Sequence, residues 1–235
     1  LEENYRSTKS ILDAAQSVIE RNIERSEKKL WTKRVGGDLI TFFEAPEGPV
    51  EIDFIIGEMN SLFQGRKIPL KDMVILYRTN AQSRAIEEKL MSFSIPYKII
   101  GGLRFYERKE IKDMIAYLRF INNPQDMVSL ERIINFPPRK IGTKAWGDVV
   151  SEGLKQASEK NINIASFLKM ISAWREIKDK VTVSQLIEKV MFDSGIYKHF
   201  NDRSDENTSR LENIQELRSV AEKYSSLEEF LEGVA

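Results

Sequence analysis

The stretch Met73-Val74-Ile75-Leu76-Tyr77-Arg78-Thr79-Asn80-Ala81-Gln82-Ser83-Arg84 sets the first expectation. Its opening five residues are an unbroken apolar run of strand length, the pattern of a strand buried on both faces in a parallel sheet. Asn80 is placed to cap the next helix, with Ile86 and Leu90 on its inner face. Upstream, Ser7 or Thr8 precedes a helical stripe of Ile11, Leu12, Ala15, Val18 and Ile19. Leu39 to Phe43 is a short β-rich run closed by Pro46, Gly48 and Pro49. Ile52, Ile55, Ile56, Met59, Leu62 and Phe63 then repeat at helical spacing until Gly65. Downstream, Tyr97 to Ile100 is a further short strand, ended by Gly101-Gly102. This alternation predicts a doubly wound α/β layer.

From about Lys109 the pattern changes. Ile111, Ile115 and Leu118 start a helix, and later periodic segments, roughly 129–135, 144–158, 164–173, 183–193, 207–224 and 227–233, are all helical. The expected fold class is therefore a partial α/β sheet followed by an all-α region, helix-dominated overall.

Composition narrows the chemistry. The 235 residues carry 36 Lys plus Arg against 36 Asp plus Glu, a formal net charge of zero. A uniformly basic nucleic-acid coat is excluded, but a local basic patch is not. Residues 101–145 hold nine basic side chains against five acidic ones. Cysteine is absent and His199 is the single histidine, so thiolate sites and multi-histidine metal clusters are excluded. No metal site is expected. No apolar run approaches the length of a membrane span. The opening Leu1-Glu2-Glu3 has no initiator Met and no signal peptide, and reads as the interior of a longer, cytoplasmic chain.

There is no GxxxxGK[ST], GxSxG or HExxH. Tyr5-Arg6 at a helix approach pairs a ring able to stack on a base with a guanidinium able to neutralise phosphate charge; a plain surface pair is the bland alternative. Pro137-Pro138-Arg139-Lys140-Ile141-Gly142-Thr143-Lys144 stops one helix and opens another. Amides at that helix start, with basic neighbours, can face a phosphate, or the stretch is an ordinary basic turn. Trp31, Trp146 and Trp174 read as core or interface residues before base-stacking platforms, and His199 as structural. Gly101-Gly102 reads as a hinge.

Four ordered strings carry a resemblance. Leu1-Glu2-Glu3-Asn4-Tyr5-Arg6-Ser7-Thr8-Lys9-Ser10-Ile11-Leu12 is similar to a motif of UvrD/PcrA/Rep-type superfamily 1 ATP-dependent DNA helicases, nearest the PcrA branch. Val74 to Arg84 resembles that family's YRxNAQSR segment, Gly101 to Asp113 its GGxxFxxRxEIKD segment, and Asn135 to Gly142 its TPxRGIG segment. The resemblance implies that residues 1–105 are part of the second RecA-like motor domain and 106–235 most of a helical insertion called 2B. It implies Tyr5 stacking on adenine and Arg6 acting catalytically on the γ-phosphate of ATP. Arg78 and Asn80 would touch single-stranded DNA, although a plain helix cap explains Asn80 equally well. Arg139, Lys140, Ile141, Gly142, Thr143 and Lys144 would grip duplex DNA. Lys140 stands where the family pattern has its first glycine, which leaves that contact open.

The whole protein implied is an enzyme that uses ATP and Mg²⁺ to move 3′ to 5′ on single-stranded DNA and unwind duplex. Repair, replication or transcription proteins are the implied partners. This chain alone, lacking Walker A and Walker B motifs, is expected to be inactive. The alternative is a non-enzymatic helical protein-interaction module.

Overall fold

Helical periodicity carries most of the backbone of the computed structural model, which describes residues 2–23 and 29–234. Two compact units, residues 1–57 and 58–235, divide inside helix α2. In the first unit, α1 (Lys9–Ile19) buries Leu12, while Ile11, Val18 and Ile19 of its apolar stripe stay exposed. A parallel bridge joins Glu3 to Trp31, with the Asn4 amide donating to the Trp31 carbonyl at 2.7 Å. α2 (Gly48–Gly65) begins just after Pro46, and Phe43 stacks on Phe54 with ring centroids 4.0 Å apart. Pro49 is tolerated there because a helix's first amides have no intrahelical acceptor.

The expected sheet is not found among the described residues. Leu39–Phe43, Met73–Tyr77 and Tyr97–Ile100 run without helix and without ladder partners, and the Glu3–Trp31 bridge is the one β-bridge among the described residues. The reason is pairing, not local conformation. A strand is stabilised by ladder bonds to a neighbour about 4.8 Å away, and among the described residues no ladder joins these runs. Nor is the Met73–Tyr77 run buried on both faces: Val74 is 75% and Leu76 86% exposed, while Met73, Ile75 and Tyr77 are half-buried. A short apolar run cannot by itself report whether one face or two are covered. The helix-dominated character agrees with the expectation.

The second unit is built round α4 (Lys109–Asn122). Ile111, Met114, Tyr117, Leu118, Phe120 and Ile121 are all buried while Lys109, Lys112 and Arg119 are exposed, so a broad apolar face takes up about half of its circumference. Such a face must be covered by other helices. It is packed by α5 (Met127–Ile133), α8 (Ile162–Ile177), α9 (Val183–Asp193), α11 (Asp205–Ala221) and α12 (Leu227–Gly233). α6 (Thr143–Glu152) and α7 (Leu154–Lys160) pack in sequence toward α8, and α10 (Ile196–Phe200) lies against α9 and α11. Trp174 of α8 is fully buried, edge-on to Tyr117 at 5.9 Å, with its indole N–H donating to Asp193 at 3.1 Å. It is a core residue. Trp146 is partly buried against the same core, and Trp31 is exposed.

A buried polar network fixes α3 (Ser83–Ser92) to this bundle. The Arg108 guanidinium donates to the Asn80 carbonyl at 3.0 Å, to Asn213 Oδ1 at 2.8 Å and to Ser83 Oγ at 2.7 Å. Asn213 Nδ2 donates to Glu110 Oε1 at 2.6 Å, and Ser83 Oγ donates to Glu87 at 2.7 Å. Arg84 bridges Glu88 at 2.5 Å and Glu216 at 2.6 Å. Burial pulls the Arg108 guanidinium below its ordinary pKa, opposed by the carboxylates of Glu87 and Glu110. Asn213→Ala would leave Arg108 short of an acceptor and Glu110 short of a donor. It is expected to destabilise the chain by about 2–3 kcal/mol, read from urea unfolding. A change within ordinary surface-substitution scatter, about 0.5 kcal/mol, would show that the network carries little stability.

Candidate nucleic-acid interface

The loop between α5 and α6 brings together the basic residues expected to meet duplex DNA. Asn135 follows the end of α5, and its side-chain carbonyl accepts from the Arg139 amide at 2.8 Å and the Ile141 amide at 3.1 Å. Those two bonds bracket Lys140, whose φ is +62°. This left-handed conformation costs a non-glycine residue about 1–2 kcal/mol. A glycine would adopt that backbone without the cost. Ile141 is buried and plugs the loop into the core. Gly142 stands at the N-cap of α6 in extended conformation, and no side chain caps the helix. The first-turn amides of α6 therefore face outward without intrahelical acceptors. Lys140, Thr143 and Lys144 are exposed beside them. Neither lysine makes an ion pair among the described residues.

Arg139 is different. Its Nη1 donates to the carbonyls of Ile133, Phe136 and Pro137 at 3.1, 2.7 and 3.1 Å. Its Nη2 donates to the Tyr117 hydroxyl at 2.7 Å and the Ser194 carbonyl at 2.9 Å. The Tyr117 hydroxyl in turn donates to the Phe136 carbonyl. Burial pushes the Tyr117 phenol up to about 12 against the opposing charge of Arg139, so it stays a donor at neutral pH. The guanidinium lies inside the loop and not on its outer surface. Sequence reasoning did not find Asn135, Tyr117 or Ser194 as loop supports. An Asn directly before Phe136-Pro137-Pro138 was the available signal, because Asn side chains favour turn amides.

The Arg78–Asn80 turn is shaped by Gln82, whose side-chain carbonyl accepts from the Arg78 amide at 2.9 Å and the Thr79 amide at 3.0 Å. Thr79, not Asn80, occupies the N-cap position of the 3₁₀ turn that leads into α3. Asn80 is exposed, with its carbonyl held by Arg108 and its amide 3.5 Å from Ser209 Oγ. Arg78 is exposed. Gly101 has φ +80° with nothing crowding its Cα, inside an exposed stretch that ends at Phe105.

In the first unit, Asn4 Oδ1 accepts from the amides of Arg6 and Ser7 at 2.9 and 2.8 Å. Arg34 Nη1 donates to the Arg6 carbonyl at 2.6 Å. The backbone is thus held while the side chains stay open: Tyr5 is 73% exposed and Arg6 is exposed. The Tyr5 hydroxyl donates to Glu3 at 2.9 Å, which raises its pKa. Among the described residues no three His, Asp or Glu side chains come together as a metal cradle, and no helix is long and apolar enough to cross a membrane. His199 is exposed, edge-on to Phe136 at 5.5 Å.

Comparison with known proteins places these features. The family model for the UvrD-like helicase C-terminal domain matches residues 1–233. The chain is 41% identical to the ATP-dependent DNA helicase UvrD1 of Mycobacterium bovis over 96% of its own length and 32% of that protein's. It is 40% identical to the ATP-dependent DNA helicase PcrA of Staphylococcus epidermidis over 95% of its length and 33% of the relative's. With PcrA of Leuconostoc citreum the identity is 38%, over 95% of the chain and 32% of the relative. The chain spans about a third of the length of these curated relatives. A match over nearly every residue shows that the chain belongs to the UvrD-like helicase C-terminal domain family.

Proposed function

We propose that this chain is part of an ATP-dependent DNA helicase that moves 3′ to 5′ on single-stranded DNA and separates duplex ahead of it. In this reading residues 1–105 belong to the second motor domain and 106–235 to its helical insertion. The observation that carries the DNA-binding part is the uncapped start of α6, flanked by exposed Lys140 and Lys144, in a chain of this family. Outward amides and two exposed ammonium groups suit phosphate oxygens and read no base sequence. Arg78 and Asn80 would touch the single strand at the turn that Gln82 shapes.

Tyr5 and Arg6 would serve the nucleotide. An exposed ring on a braced backbone suits stacking on adenine, and a free guanidinium suits the charge that develops on the γ-phosphate. ATP supplies the phosphoryl group whose transfer drives movement. Among the described residues no group of carboxylates comes together that could hold Mg²⁺. Gly101-Gly102 would act as a hinge of the insertion. Arg108 joins Asn80 and Ser83 to Asn213 across that point, so any swing there requires these hydrogen bonds to move together or to open. Repair, replication or transcription proteins would be partners of the whole protein, and the cytoplasm its compartment.

Two outcomes test the proposal. The 235-residue chain is expected to bind a short blunt duplex with an affinity that falls as salt rises. Lys140→Ala and Lys144→Ala should each flatten the log–log salt slope by about 0.9; unchanged slopes would remove the loop from the contact. In the whole protein, Arg6→Ala should lower DNA-stimulated ATP hydrolysis about 10³-fold, while Tyr5→Ala mainly raises KM for ATP. Equal effects of both substitutions on KM and kcat would refute this division of roles.

A further inference from the structure

We infer that Arg139 is a positioning residue for the duplex contact, acting through Lys140 and the start of α6 without touching phosphate itself. The inference rests on the proposed reading that this loop meets duplex DNA. The guanidinium is directed into the loop. Both terminal nitrogens are engaged by the Ile133, Phe136, Pro137 and Ser194 carbonyls and the Tyr117 hydroxyl. The plane also lies 5.4 Å from the Phe167 ring centroid and 5.9 Å from that of Tyr117. A phosphate could recruit these nitrogens only by breaking bonds already made, and the carbonyls so exposed would need new donors.

The same bonds do structural work that the contact requires. Ile133 ends α5, and its carbonyl accepts from the Phe136 amide at 3.0 Å as well as from Arg139 at 3.1 Å. Arg139 adds a positive charge there, the favourable sign for a helix C-terminus. Its backbone amide is held at the same time by Asn135, and the amide two residues on by the same oxygen. Lys140 is thereby pinned in its left-handed conformation with its ammonium directed to solvent. A loop ordered before binding does not lose that freedom on binding. The fork geometry of arginine is essential, because a lysine ammonium is a point charge on a flexible stem and cannot reach five acceptors in a plane.

The test uses the 235-residue chain and a fluorescein-labelled blunt DNA duplex, with affinities measured across a salt series and thermal melting followed in parallel. Arg139→Lys keeps the charge, yet is expected to weaken duplex binding about tenfold, the scale of re-ordering a few loop side chains. In a Lys140→Ala/Lys144→Ala background the same substitution should have little further effect, because it acts through those residues. Asn135→Ala removes the second brace at an exposed, uncharged position, and should show the same loss and the same non-additivity even if Arg139→Lys does not fold. Wild-type affinity for Arg139→Lys or for Asn135→Ala, or losses that multiply with those of the lysines, would overturn the inference alone. Absence of salt-dependent duplex binding by the unsubstituted chain would overturn the reading of the site together with it.

Discussion

A charged guanidinium taken out of water has to be answered by acceptors, and Arg108 organises the second unit around that demand. Leaving it unpaired would cost more than most single contacts contribute. Its acceptors come from two separated stretches: the Asn80 carbonyl and Ser83 where the chain enters α3, and Asn213 on α11. Those partners are in turn committed, Asn213 to Glu110 and Ser83 to Glu87. The segment that carries Arg78 and Asn80 is therefore not a free loop above the helices. Its carbonyl geometry depends on α4 and α11 being in place.

The helices were legible because their cause is local. The stripes in α2 and α4 report a face that must be covered, and the turn residues after them report where it stops. The sheet was misread because its cause is not local. Met73–Tyr77 has the composition of a strand enclosed on both faces, but enclosure is a property of neighbours. The chain leaves Val74 and Leu76 in the open. Trp174 followed expectation because a large indole gains most from full burial and finds a donor's partner in Asp193.

The turn that carries the candidate site was legible in outline, and the directions of its side chains were not. Pro137-Pro138 followed by Gly142-Thr143 marked a helix end and a helix start, and both occur. Grouping Arg139, Lys140 and Lys144 as equivalent charges was the natural reading, since sequence shows charge and not direction. What separates them is reach. Arg139 lies beside the carbonyls that end α5, whereas Lys140 is bracketed by two amides already tied to Asn135. The missing glycine at Lys140 also becomes intelligible. The loop demands the left-handed backbone, and the braces on either side hold a lysine there despite its cost.

The same division extends through the second unit. Arg84, Arg108 and Arg139 turn inward and bind carboxylates, amide oxygens or carbonyls through several nitrogens each. Lys140 and Lys144 remain solvated. That is the partition expected from their chemistry: a weakly hydrated planar fork suits the interior, and a strongly hydrated ammonium resists it. Zero net charge is then a poor guide to nucleic-acid affinity for a specific reason. Arg84 is paired with Glu88 and Glu216, and Arg108 is buried, so these two charges count for little at the surface although they enter the total.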